Sequence, residues 1–294
     1  MIDKLEMFLA LAKEQHFGRA AEVVGVTQPT LSAAIKQLEE QLGVMLVLRG
    51  SRYGGLTPEG KRVLEWARQI VGDTRTMKEE LRAARAGLSG NLRLAVIPTA
   101  LTFVSQLTTG FARVHPNVRF TVLSATSIDI LKQLEDLAID AGISYLDNEP
   151  LGRVVTVPLY RERYVLVVRA DAPQAALSSI GWAGLGALPL CLLTPDMQNR
   201  RIIGGHLAEA GVTVAPQVET NSTIVLISHV LSGGWATILP IKAAQIFLTD
   251  APLRAIPIVD PDAHHAVGLI APYREPHTPV LAALLTEARR MAEV

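Results

Sequence analysis

Residues 19–43, RAAEVVGVTQPTLSAAIKQLEEQLG, constrain this chain more than any other stretch. Ala20, Ala21 and Val24 fall on one side of a short helix, which Gly25 is suited to end. Small alanine side chains there let a second helix approach closely. Gly25-Val26-Thr27 then makes a three-residue connection. Thr27 is a good N-cap, and Pro29 falls in the first turn, where its missing N–H costs nothing. Leu31, Ile35, Leu38 and Leu42 give a 4-3-4 apolar stripe, and Gly43 stops the helix. Upstream, Leu5, Phe8, Leu9 and Ala12 recur at helical spacing and predict a first helix. Two short helices on a tight glycine-containing turn form the helix-turn-helix pattern. On the helices alone, a hairpin inside some other domain remains open.

The second helix of such a motif enters the DNA major groove with its N-terminal residues at the base edges. Here those residues are Gln28, Pro29, Thr30, Ser32 and Ala33. Gln28 is suited to bidentate contact with adenine, Thr30 or Ser32 to bases or phosphates, and Lys36 to backbone charge. The β-prone run Val44–Leu48 follows, then the basic loop Arg49-Gly50-Ser51-Arg52-Tyr53-Gly54-Gly55, then Leu56-Thr57-Pro58-Glu59-Gly60. A short hairpin with arginine at its tip predicts a wing, with Arg49 and Arg52 placed for phosphates or a narrow minor groove. An ordinary solvated loop is the alternative for those arginines.

The ordered positions AA-x5-TQPTLS-x3-K-x-LE-x2-LG…LTPEG resemble the LysR-type transcriptional regulator family over some 60 residues. The family often has arginine directly after the helix serine, where this chain has Ala33, so one phosphate or base contact differs. The resemblance implies a regulator that binds double-stranded promoter DNA as a dimer or tetramer and answers to a small-molecule effector.

Beyond Gly60, only Gly72 interrupts a helical run that reaches Gly87. Val63, Ala67, Ile70, Thr74, Met77, Leu81, Ala84 and Leu88 alternate at spacings of four and three, the seam of a coiled coil. About 28 residues at 1.5 Å each span roughly 40 Å, enough to hold two DNA-binding heads apart. Val63, Ala67, Ile70, Met77 and Leu81 are therefore the expected dimerisation residues. A helix lying on its own domain is the alternative.

From residue 88 onward strands and helices alternate, which predicts α/β units with parallel sheets. The expected organisation is a winged helix-turn-helix over 1–58, a linker helix over 59–87 and an effector-binding domain over 88–294. That last domain reads as two α/β lobes, as in periplasmic binding proteins: lobe 1 at about 91–162 and 267–294, lobe 2 at about 163–266. Ligands of open α/β sheets bind at the carboxyl ends of strands. Thr99, Ala100, Thr102, Thr126, Ser127, Ser144 and Tyr145 fall at such ends in the first lobe, and Pro195, Met197, Thr220 and Ser222 in the second. Each also reads as an ordinary helix cap. The resemblance implies that the effector binds between the lobes near these positions. Hydroxyls and backbone amides there, with Arg200 and Arg201 in reach, suggest a small anion.

Charge by itself is uninformative. Residues 1–87 carry 13 Lys/Arg against 11 Asp/Glu, and residues 88–294 carry 15 against 17. The single cysteine, Cys191, cannot form an internal disulfide and reads as a small buried hydrophobe. The N-terminus is a poor signal peptide, so a cytoplasmic location is expected and a transport-type solute receptor disfavoured. Seven histidines form no HExxH and no close Cys/His cluster, and GxSxG and phosphate-cradling glycine loops are absent, so no metal, cofactor or catalysis is expected. The expected mechanism is effector-driven repositioning of the bound oligomer on DNA, altering recruitment of RNA polymerase.

Overall fold

The computed structural model describes residues 1–48 and 53–292. Arg49 and Arg52, the expected wing arginines, lie outside the described residues. The chain divides into two units: Met1–Gly87, with Glu135–Ala138 and Arg274–Pro279, and the remainder.

The N-terminal unit packs α1 (Ile2–Glu14), α2 (Phe17–Val23) and α3 (Gln28–Leu42) against the start of α4 (Pro58–Ala86). Its core joins Leu5, Phe8 and Leu11 to Ala20, Ala21, Leu31, Ile35, Leu38, Leu46 and Ala67. Ala20 and Ala21 are almost fully buried, which keeps the second helix close to its neighbours. Leu42, the last position of the expected stripe, is instead exposed beside the terminating Gly43. Among the described residues of the expected wing, Val47 bridges Leu56, and Leu48 N donates to Gly55 O at 3.0 Å.

The larger unit holds two mixed sheets. Lobe 1 has the order β2-β1-β3-β11-β4, built from β1 (Gly90–Val96), β2 (Val118–Ser124), β3 (Ala141–Tyr145), β4 (Val154–Glu162) and β11 (His265–Pro272). Lobe 2 has the order β6-β10-β5-β9, from β5 (Tyr164–Arg169), β6 (Ile180–Gly181), β9 (Thr237–Pro240) and β10 (Leu253–Val259). Beside it lies the parallel pair β7 (Cys191–Leu193) and β8 (Val218–Thr220). The chain passes between the sheets at Glu162–Tyr164 and again between Val259 and His265.

The all-parallel sheets expected from the alternation need correction. β1 pairs in parallel with β2 and β3, but β11 runs antiparallel to β3 and β4, and β5 runs antiparallel to β10 and β9. The reason is topological: the strands that cross between lobes enter each sheet from the opposite end. Helices α5 (Leu101–Val114), α6 (Ser127–Glu135) and α10 (Pro279–Ala292) accompany the first lobe; α7 (Gln198–Glu209), α8 (Thr223–Ser232) and α9 (Ile241–Leu248) accompany the second. The periodicity had not revealed α9. No helix among the described residues is long and apolar enough to cross a membrane.

Candidate functional sites: a helix-turn-helix face and an inter-lobe cleft

The turn between α2 and α3 is built by local chemistry. His16 Nδ1 accepts from Arg19 N at 3.3 Å and starts α2. Gly25 sits at φ 71°, a left-handed conformation suited to glycine, and Val26 N returns to Ala21 O at 3.0 Å. Thr27 Oγ1 then accepts from Thr30 N at 3.4 Å and caps α3. Leu31, Ile35 and Leu38 face the core, whereas Gln28, Pro29, Thr30, Ser32, Ala33 and Lys36 are all exposed on the other side. Thr30 is part of the cap, its hydroxyl 2.9 Å from that of Thr27. Lys36 lies 3.9 Å from Glu40, a loose exposed pair that leaves its charge available.

Two further residues, not singled out from the sequence, hold this face in place. The Glu39 carboxylate accepts from Leu46 N at 2.7 Å and Val47 N at 3.1 Å, pinning the chain that leads into the wing. At Gly60 an added Cβ would collide with Leu46 O, so the helix start and the segment after α3 approach backbone to backbone.

Along α4 the expected seam divides. Ala67 is fully buried in the N-terminal core and Val63 packs against that core, so both serve their own domain. Ile70, Met77 and Leu81 are exposed at 41%, 54% and 62%, and Trp66, not among the expected residues, joins them at 63%. Positions 66, 70, 77 and 81 form a stripe at helical spacing.

In the larger unit, Pro98, Thr99, Ser127, Tyr145, Met197, Gln198 and Asn199 enclose a small inner pocket between the lobes. A wider cleft of about 520 Å³ opens beside it, lined by Pro98, Leu101, Ser124–Thr126, Asp129, Asp196, Met197 and Asn221–Ile224. Of the expected effector residues, Thr99, Ser127, Tyr145, Met197, Thr126 and Ser222 therefore gather at these openings. Ala100 is buried outside both linings. Thr102 Oγ1 donates to Lys242 O at 3.4 Å, and Thr220 Oγ1 accepts from Ser222 N at 3.2 Å. Ser144 alternates with Tyr145 on β3 and so faces away. Pro195 is exposed, its carbonyl accepting from Arg201 at 3.1 Å.

Both arginines expected near the cleft are paired. Arg201 is held by Glu149 at 2.7 and 2.9 Å and donates to two lining residues, Asp196 O at 2.6 Å and Ser127 Oγ at 3.4 Å, while Arg200 lies 3.9 Å from Glu219. The ionisable side chains lining the wider cleft are Asp129 and Asp196.

Several contacts join the lobes. Gln198 Nε2 donates to Asp147 O at 3.1 Å, and Asn199 Nδ2 to Tyr145 Oη at 3.0 Å. Tyr145 in turn donates to Glu162 Oε2 at 2.6 Å, and Tyr160 to Glu162 Oε1 at 3.3 Å. Glu162 has no exposure, and burial pushes its carboxyl up to about 7 against the opposing pull of the two tyrosine hydrogen bonds. His206 Nε2 lies 3.0 Å from His265 Nε2, and burial lowers the His265 imidazole below its usual range. Adjacent polar residues after β7 were the available signal for Gln198 and Asn199; Glu162, inside a strand, carried none.

Both units match family models. One described as "LysR substrate binding domain" matches residues 85–293, and one described as "Bacterial regulatory helix-turn-helix protein, lysR family" matches residues 2–61. The DNA-binding transcriptional dual regulator OxyR of Escherichia coli K12 is 29% identical over 270 residues, covering 92% of this chain and 88% of that one. A hydrogen peroxide-inducible genes activator of Pectobacterium carotovorum is 30% identical over 240 residues, covering 81% and 79%. Among solved structures, a full-length OxyR variant from Pseudomonas aeruginosa superposes with a TM-score of 0.76 at 27% identity, covering 98% of this chain and 97% of that one. CbnR complexed with its target DNA shares the fold, with a TM-score of 0.62 at 23% identity, covering 99% and 100%.

Proposed function

Because this chain belongs to the LysR family of DNA-binding transcriptional regulators, which are not enzymes, we propose that it grips a promoter through the exposed N-terminal face of α3. Gln28, Thr30, Ser32 and Lys36 meet the major groove, Pro29 and Ala33 shape the approach, and Arg49 and Arg52 reach the flanking backbone. The observation that carries this reading is the sorting of α3: every apolar residue at the start of its stripe is buried, and every expected contact residue is exposed. The protein works in the cytoplasm as a dimer or tetramer paired along α4. A small molecule in the inter-lobe cleft favours one lobe arrangement, changes how the oligomer sits on DNA and so alters recruitment of RNA polymerase.

The peroxide named in its relatives does not extend to this chain through a thiol pair. Cys191 is the single cysteine of the sequence, is fully buried, and has its thiol pushed up to about 11 by that burial. A protonated, enclosed thiol is a poor nucleophile, and the sequence holds no second cysteine to close a disulfide.

A footprint on the DNA upstream of the protein's own gene tests the regulator reading. Protection at half-sites about one helical turn apart, weakening steeply with salt, is expected. In the same assay Gln28→Ala should relax the preference at one base position by about 1–3 kcal/mol and leave the salt slope unchanged. A base preference identical to wild type would remove Gln28 from the docking face.

A further inference from the structure

The polar groups buried beside the cleft specify more than its position. The inner pocket has a volume of about 10 Å³, room for one group the size of a water molecule. Thr99, Gln198 and Asn199 line it and are each at most 3% exposed. Gln198 uses its Nε2 on Asp147 O, and Asn199 its Nδ2 on Tyr145 Oη, so each amide presents its oxygen as the remaining group. With Glu162 ionised, the Tyr145 proton goes to Glu162, so Asn199 donates its Nδ2 to Tyr145 Oη and keeps its oxygen free. Gln198 Oε1, Asn199 Oδ1 and Thr99 Oγ1 are thus buried with no partner among the described residues. The two amide oxygens only accept, and the hydroxyl can accept.

The wider cleft adds charge of one sign. It shares Pro98 and Met197 with the inner pocket, and its ionisable lining side chains are Asp129 and Asp196; Arg201 donates to Asp196 O at 2.6 Å and to Ser127 Oγ at 3.4 Å, with its charge paired to Glu149. Asp129 also holds the Thr126 hydroxyl at 2.9 Å, whereas no hydrogen bond among the described residues engages the Asp196 carboxylate. Against these carboxylates stand the N-termini of α7 and α8, which lack side-chain caps and favour an anion.

Building on the inter-lobe effector reading, we propose that the cleft takes a ligand bearing a primary ammonium group, seated on Gln198 Oε1, Asn199 Oδ1 and Thr99 Oγ1. An ammonium is water-sized, has three N–H donors and no acceptor, and so matches the inner pocket in both size and valence. Asp129 and Asp196 supply the complementary charge in the wider cleft. A free amine and an amino acid share this chemistry; only the amino acid also offers a carboxylate to the helix N-termini.

Calorimetric titration of the full-length protein separates these cases. The probes are the twenty L-amino acids, their des-amino carboxylic acids and their decarboxylated amines. An amine-bearing probe should bind, with its des-amino counterpart about tenfold or more weaker, because the buried acceptors would lose their donors. Asp196→Asn should weaken that binding by about threefold, as befits an exposed charge, and Thr99→Val by about tenfold. Preference for an amino acid over its amine would place the carboxylate at α7 and α8; equal binding would identify the amine as sufficient. Des-amino acids that bind as tightly, and lose affinity in Thr99→Val, would overturn the ammonium while leaving the effector cleft standing. Amine binding unchanged by both substitutions would place the ligand outside the cleft and overturn both readings. No binding by any amine-bearing probe would overturn the ammonium alone.

Discussion

Glu162 is a carboxyl group buried where ionisation is unfavourable, held by two tyrosines at the crossing between the lobes. Its folded pKa of about 7 lies above the ordinary value of 4.5. Below both values the group is protonated in folded and unfolded chains alike, and its contribution is complete. Between about 4.5 and 7 the unfolded chain releases the proton while the folded chain keeps it, so stability falls as pH rises. The slope in that window is on the order of 1 kcal/mol per pH unit. Glu162→Gln should flatten it, seen as a Tm that no longer declines from pH 4.5 to 7 relative to wild type. An unchanged decline would assign the pH dependence to other groups. Nothing in the sequence around Tyr160-Arg161-Glu162 distinguishes this glutamate from an exposed one; only the strands packed around it do.

At the scale of elements, the helix starts are readable because capping is local. Thr57 shows how much one cap can join. Its Oγ1 accepts from Gly60 N at 2.8 Å, and its hydroxyl donates to Met45 O at 2.6 Å, tying the start of α4 to the segment that follows α3. Thr57→Ala removes both bonds at a nearly buried position and should cost about 1–2 kcal/mol in urea denaturation, with Thr57→Ser recovering most of it. Gly43, at φ 69°, and Gly87, at φ 72°, end α3 and α4 where the sequence indicates. The strand and helix alternation after residue 88 is legible for the same reason, since period and length identify each element from its own residues. Strand direction is not legible, because a strand's partners lie far along the chain.

At the scale of the whole molecule, α4 carries the apolar surface that the proposed association would use. Trp66, Ile70, Met77 and Leu81 are exposed on it, more apolar surface than a lone helix face normally shows to water. Met77→Asp with Leu81→Asp should shift the protein to a smaller species in sedimentation velocity and weaken DNA binding, while the circular dichroism spectrum stays unchanged. An intact oligomer in the double variant would move the interface elsewhere. The heptad pattern placed Val63 and Ala67 in the same seam. Periodicity marks which face of a helix is apolar, but not whether that face meets its own domain or a second copy.

The sequence by itself determined the helix-turn-helix, its caps and polar face, the long helix, and the two α/β lobes with most of their elements. These features depend on side-chain period, capping and backbone preference over a few neighbouring residues. Only the tertiary structure decided that the sheets are mixed, that Ala67 belongs to a core, that Arg200 and Arg201 are engaged by carboxylates, and that Gln198 and Asn199 are buried beside a pocket with their amide oxygens unpartnered among the described residues. Each of these depends on groups distant in sequence, and the energy of a polar side chain is set by whichever partner the fold brings within about 3 Å.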